Sequence, residues 1–209
     1  MPEQFADLRR QLIEAGRRFD AHGWVLGTSG NFSLVIDRNP LRLAITASGA
    51  AKGALSADHI LEVDADGIPL VTTGPRPSAE TRLHLEIVKA RGAGAVLHTH
   101  SIWSTLVSDR CAAAGGVAIE GYEMLKGLHG VATHEHREWL PILDNDQDMR
   151  RLAARMVEML SARPDAHAFL IRRHGMYTWG RTLSDAVRHV EIVEFLLEAV
   201  GRGGSPGVR

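Results

Sequence analysis

Two histidines one residue apart, His98 and His100, follow the apolar run Gly94-Ala95-Val96-Leu97. In an extended chain residues i and i+2 face the same side, so both imidazoles would leave the strand end together. Such a pair can offer two nitrogens to a divalent cation at about 2.0–2.1 Å. By itself the pair fits a polar strand face at least as well as a metal site. A third histidine, His174, stands at the end of another apolar run, Ala168-Phe169-Leu170-Ile171, and is followed by Gly175. Two histidines from one strand and one from another, with a fourth position open, make the ligand set of a catalytic zinc. A structural zinc would draw on several cysteines, and the chain has only Cys111.

The carboxylate nearest in sequence is Glu80, in Pro77-Ser78-Ala79-Glu80-Thr81. This stretch opens a helix with Ser78 as a natural N-cap, and the helix runs straight into the histidine strand. Glu80 is either a surface acid favoured by the helix dipole or a carboxylate at the mouth of the metal site. Glycines and small hydroxyls gather at Gly27-Thr28-Ser29-Gly30-Asn31-Phe32-Ser33 and at Thr46-Ala47-Ser48-Gly49. Each is a plain turn or a nest of N–H groups for an anion. The first is neither a Walker loop nor a dinucleotide fingerprint, because a hairpin follows it and not a helix.

Several elements must position these groups. Phe5, Leu8, Leu12, Ala15 and Phe19 recur at helical spacing up to a stop at His22-Gly23. Leu34-Val35-Ile36 and Leu41 to Ala47 form a hairpin about Asp37-Arg38-Asn39-Pro40. A short helix starts at Ser56, and 62–71 reads as a second hairpin turning at Asp66-Gly67. With no long crossover among these strands, the sheet is at least partly antiparallel. The helix opened at Ser78 ends at Gly92. After the histidine pair come a short helix through Leu106 and Val107 and a strand at 117–120. His129, His134 and His136 lie in a loop and read as solvated or structural. Asn145-Asp146 precedes a helix carrying Leu152, Met156, Met159 and Leu160, and 168–171 pairs with 176–180 across a hairpin. Thr182 and Asp185 open the last helix as a capping box.

The chain has 209 residues, 44% hydrophobic and 23% charged, with a formal net charge of -1. These values fit one soluble domain over 1–200 with a flexible tail at 201–209, and they give no reason to expect nucleic acid or membrane as partner. With no signal peptide and no apolar run of about 18 residues, a cytoplasmic protein is expected.

Five pieces in order resemble the class II (metal-dependent) aldolase/adducin family: Gly30-Asn31-x-Ser33, Thr46-x-Ser48-Gly49, Pro77-Ser78-x-Glu80, His98-x-His100-Ser101 and His174-Gly175. The resemblance implies an α/β fold, a single three-layer α/β/α domain with a central, largely antiparallel sheet. It also implies a homotetramer with active sites near subunit contacts. Within the family, 92–101, Glu123-Met124-Leu125-Lys126-Gly127 and 172–180 are most similar to the branch that dehydrates 5-methylthioribulose 1-phosphate in methionine salvage. That similarity implies one Zn2+ or another divalent ion per subunit on His98, His100 and His174, with Glu123 as acid/base. Glu80 is a second acid/base or metal-adjacent group, or else structural. The substrate phosphate is expected among Gly30, Asn31, Ser48, Gly49 and Ser78. Met124 and Trp103 are candidates for an apolar wall, with core packing as the plainer reading of each. The alternatives are an aldolase or epimerase acting on another sugar phosphate, and a non-enzymatic assembly module like the adducin head.

Overall fold

A computed structural model describes residues 2–203. One eight-stranded sheet runs in the order β3-β2-β1-β4-β8-β7-β6-β5. Its strands are β1 (Asn31–Arg38), β2 (Leu41–Thr46), β3 (Ile60–Val63), β4 (Ala95–Thr99), β5 (Gly116–Ile119), β6 (Glu138–Leu143), β7 (Ala168–Ile171) and β8 (Gly175–Gly180). Every neighbouring pair is antiparallel except β6 with β7. The helices are α1 (Pro2–Ala21), α2 (Thr81–Arg91), α3 (Ile102–Arg110), α4 (Met149–Ala162) and α5 (Leu183–Arg202).

Period-two alternation divides the buried residues between two faces. Ala44, Ala95, Leu97, Ala168, Leu170 and Met176 share a core with Leu12 and Phe19 of α1 and with Val190, Val193 and Leu197 of α5. Leu43, Ile45, Val96, Phe169, Ile171 and Tyr177 share another with Leu83 and Ile87 of α2 and with Leu152 and Met156 of α4. The central strands are buried on both faces, so they read as continuous apolar runs. This is the expected three-layer arrangement.

Several expectations are corrected. Ser78 is not the N-cap of α2. Its carbonyl accepts from Thr81 N at 3.0 Å, so 78–81 closes as a turn and Glu80 takes the cap position. Residues 62–71 turn as expected, but Pro69 lacks an N–H and the return leg is one isolated bridge to Val63. Asn145-Asp146 does precede α4 as expected, and Asp148 caps it, its carboxylate accepting from the N–H groups of Arg150 and Arg151. Strand β6 has no counterpart among the expected elements, because Pro141 interrupts its apolar pattern. Arg202 closes α5, so the start of the expected tail is helical, and residues 204–209 lie outside the described residues. No described helix is long and apolar enough to cross a membrane.

Candidate metal centre

Strand β4 carries His98 and Thr99, and His100 follows at its end. Alternation sends the His98 ring to the α2 face and the Thr99 side chain to the α5 face, where its hydroxyl donates to Glu194 at 2.9 Å. The Tyr177 ring, opposite His98 on β8, stacks on the imidazole at 3.9 Å between centroids and 10° between planes. Phe169 stacks on the far side of Tyr177. The His98 ring is thereby clamped in one orientation.

His174 sits in the β7–β8 turn, where Arg173 takes φ 54°. Gly175 lets this turn close over β4. A Cβ at Gly175 would lie 2.1 Å from the Thr99 carbonyl oxygen and 3.0 Å from His98 Cε1. The motif glycine is therefore a close-approach residue.

The three rings converge. Nε2 of His98 lies 2.7 Å from Nε2 of His100 and 3.4 Å from Nε2 of His174. Nδ1 of His98 lies 2.9 Å from the Met176 carbonyl oxygen. A carbonyl only accepts, so Nδ1 holds the proton and the Nε2 lone pair points into the cluster. Burial pushes His98 well below its ordinary range, helped by the neighbouring His100 and His174. Burial also takes His100 to about 4, with smaller contributions from His174 and Lys52. His174 is lowered by burial against an opposing pull from Glu80. A divalent ion requires neutral imidazoles with converging nitrogens, and His98 has its tautomer preset as well, so these residues fit one.

Glu80 faces the same point. Its Oε1 lies 3.3 Å from Nε2 of His174 and 3.7 Å from Nε2 of His98. Its Oε2 accepts from Asn31 Nδ2 at 2.6 Å. Asn31 is directly opposite His98 on β1, and its own oxygen meets His84 Nε2 at 2.5 Å.

The hydroxyl-rich turns lie alongside. Gly30 has φ +73°, and a Cβ there would lie 2.6 Å from the His98 carbonyl oxygen. An isolated antiparallel bridge between Ala47 and Pro77, with Ser48 N donating to the Arg76 carbonyl at 2.9 Å, ties the second turn to the stretch that leads into Ser78. Lys52 is 1% exposed, and its Nζ donates to the carbonyls of Thr28 at 2.9 Å and Ala50 at 2.7 Å. One buried ammonium thus ties the two turns together, and burial lowers it to about 8.

Glu123 stands apart from this centre. It begins a 3-10 turn over Glu123–Gly127, its side chain is 72% exposed, and it pairs with Lys126. Trp103 of α3 packs against Gly201 and under Arg202 of α5, so it joins the two helices and is not a free apolar wall. Met124 is exposed. Among the loop histidines, His136 bonds the buried Glu138 at 2.8 Å, in keeping with a structural role. The sequence reading missed Lys52 and His84. Each carries a signal only in hindsight: Lys52 follows Ser48-Gly49 by a few residues, and His84 lies one helical turn after Glu80.

A trio of converging histidines at strand ends, able to hold a metal ion and set beside two glycine turns on an α/β/α sheet, defines a class. The family profile described as Class II Aldolase and Adducin N-terminal domain matches residues 10–200, and the chain belongs to that family. The class is metal-dependent, and the trio is where this chain can hold the ion. The methylthioribulose-1-phosphate dehydratase of Sorangium cellulosum (strain So ce56) is 44% identical over 202 residues, 96% of this chain and 94% of that protein. The protein of the same name from Methylococcus capsulatus is 46% identical over 196 residues, 93% of each. YgbL from Escherichia coli superposes with a TM-score of 0.77 at 26% identity, over 100% of this chain and 94% of that one. The L-fuculose-1-phosphate aldolase of Thermus thermophilus shares the fold, with a TM-score of 0.72 at 23% identity over 96% of this chain and 100% of that one.

Proposed function

We propose that this protein is a metal-dependent dehydratase converting 5-methylthioribulose 1-phosphate to 2,3-diketo-5-methylthiopentyl 1-phosphate and water, a step of methionine salvage. The observation that carries the reading is the match to dehydratase relatives along nearly the whole chain, with all three converging histidines in place. Zn2+ is the ion that three neutral imidazoles suit, held by His98, His100 and His174. When bound it supplies Lewis acidity to the ketone and hydroxyl oxygens at C2 and C3.

The chain's own groups do the rest. A proton must leave C3, and the C4 hydroxyl must leave as water. Hydroxide is a poor leaving group, so an acid has to protonate it. We assign that role to Glu123 on the similarity to the dehydratases; its carboxylate is exposed and pairs with Lys126. Glu80, already fixed beside the histidines, is the second carboxylate able to hold a proton near C3. The phosphate lies against Gly30, Ser48, Gly49 and Ser78, with Lys52 supplying charge from below. Asn31 Nδ2 uses one hydrogen on Glu80 and keeps a second for the phosphate.

The proposal includes a cytoplasmic homotetramer. Ile102 and Leu106 lie one turn apart on α3, 65% and 46% exposed, and Phe195 of the adjoining α5 is 49% exposed. Helix α3 starts directly after His100-Ser101, so a subunit docked there would border the metal centre.

The test is incubation of the zinc-loaded protein with 5-methylthioribulose 1-phosphate, following the diketone chromophore. Turnover of fuculose or ribulose phosphates with no diketone formed would replace the dehydratase reading with an aldolase or epimerase.

A further inference from the structure

Behind Glu80 a line of hydrogen bonds runs into the core. Ser33 and Asn31 are two apart on β1 and so share its α2-facing side. Glu80, at the cap, and His84 are four apart and so share the sheet-facing side of α2. The two periods mesh. Ser33 Oγ lies 2.8 Å from His84 Nδ1, His84 Nε2 lies 2.5 Å from Asn31 Oδ1, and Asn31 Nδ2 lies 2.6 Å from Glu80 Oε2. Ser33 and His84 are fully buried and Asn31 is 4% exposed.

The chemistry at the outer end fixes the direction of every bond. The Glu80 carboxylate accepts, so the Asn31 amide nitrogen must face it. That leaves the Asn31 oxygen facing His84, so Nε2 of His84 must carry the proton. Nδ1 then accepts from the Ser33 hydroxyl. Burial holds the imidazole neutral, at about 3, so it has one proton to place and one place for it. The opposite arrangement would set the Asn31 oxygen against the carboxylate.

We propose that His84 is a positioning residue that locks the Asn31 amide, turning both of its hydrogens toward Glu80 and the anion-binding turns. It acts through Asn31 and touches neither ion nor substrate. The inference rests on the reading of the histidine trio, Glu80 and the turns as an ion and phosphate site.

Imidazole 15N shifts of the folded wild-type protein read the tautomer directly. Protonated Nε2 with bare Nδ1 is expected at neutral pH. The reverse tautomer, or a doubly protonated ring, overturns the proposal. Substitution supplies the second arm. Gln at this position places an N–H near Nε2, whereas Asn reaches only the Nδ1 position. His84→Gln is expected to keep most of kcat/KM and the affinity for inorganic phosphate. His84→Asn is expected to lose on the order of 10- to 100-fold in kcat/KM, the range of supporting partners at metal sites, and to weaken phosphate binding. Equal losses in both variants, or none in either, mean a packing role only. Zinc chloride titrated into the EDTA-treated wild-type protein separates the two readings: no binding sinks the ion site and leaves the tautomer result standing.

Discussion

Glu194→Gln should stabilise the protein in a way that grows with pH. Glu194 lies on α5 beneath β4, 2% exposed. It accepts the Thr99 hydroxyl at 2.9 Å, the nearby Ser101 hydroxyl also favours its charged form, and its Oε2 has no partner among the described residues. Burial outweighs these bonds and raises its carboxyl from 4.5 to about 7. The unfolded chain releases this proton near 4.5, and the folded chain holds it to about 7. Between those values the native state binds more protons, so stability falls as pH rises and the loss is complete above the folded value. The gap corresponds to about 3 kcal/mol. Glutamine does not titrate, so the variant should gain about 3 kcal/mol on wild type between about pH 4 and about pH 8. For a chain of this length that is a Tm difference growing by about 6–12 °C. Thermal melts of both proteins, at matched pH and one concentration, measure it. Other titrating groups are common to the two and cancel. A difference that stays flat across this range would refute the reasoning.

Three further outcomes are expected. His100→Ala should lower zinc content and weaken zinc affinity by at least about tenfold, read by metal analysis after dialysis; normal occupancy would remove His100 from the ligand set. Glu123→Gln should keep its metal and lose turnover by roughly 10²–10⁴-fold, the range of a general acid; full activity would remove Glu123 from the mechanism. Lys52→Met should leave the Thr28 and Ala50 carbonyls without their donor and cost about 1–3 kcal/mol in urea denaturation. It should also raise KM more than it lowers kcat, and an unchanged KM would separate Lys52 from the phosphate.

The layer architecture was legible because its cause is periodic. Strands β2, β4 and β7 are apolar at consecutive positions since both faces are covered, and α1, α4 and α5 show a single apolar stripe. What failed was local and rested on chemistry without a period. Ser78 has the residue type of a cap, yet its carbonyl and hydroxyl serve a turn that delivers Glu80 to the histidines. Pro141 hides β6, because proline argues against an interior strand and β6 nevertheless stands between β5 and β7, which no local pattern encodes. The strand also carries Glu138, whose partners His136 and His167 stand 2 and 29 residues away.

The metal centre shows why some site residues announce themselves and others do not. A ligand must reach a point outside the chain, so it sits at a strand end, and i, i+2 spacing betrays it. His98 and His100 meet that condition on one strand. His174 meets it only because Gly175 removes the atom that would strike Thr99, and the His-Gly pair is the trace of that contact. Supporting groups face inward and meet another element, so each shows half a pattern. Asn31-x-Ser33 is one half and Glu80-x-x-x-His84 is the other. Neither means anything until β1 and α2 are known to face each other, which makes His84 look like an ordinary buried residue in sequence. Lys52 is hidden for the same reason: its two acceptors, Thr28 and Ala50, lie in turns that become neighbours only when the sheet closes. Residues that touch a ligand leave a mark in one segment, and residues that hold those residues leave it divided between two.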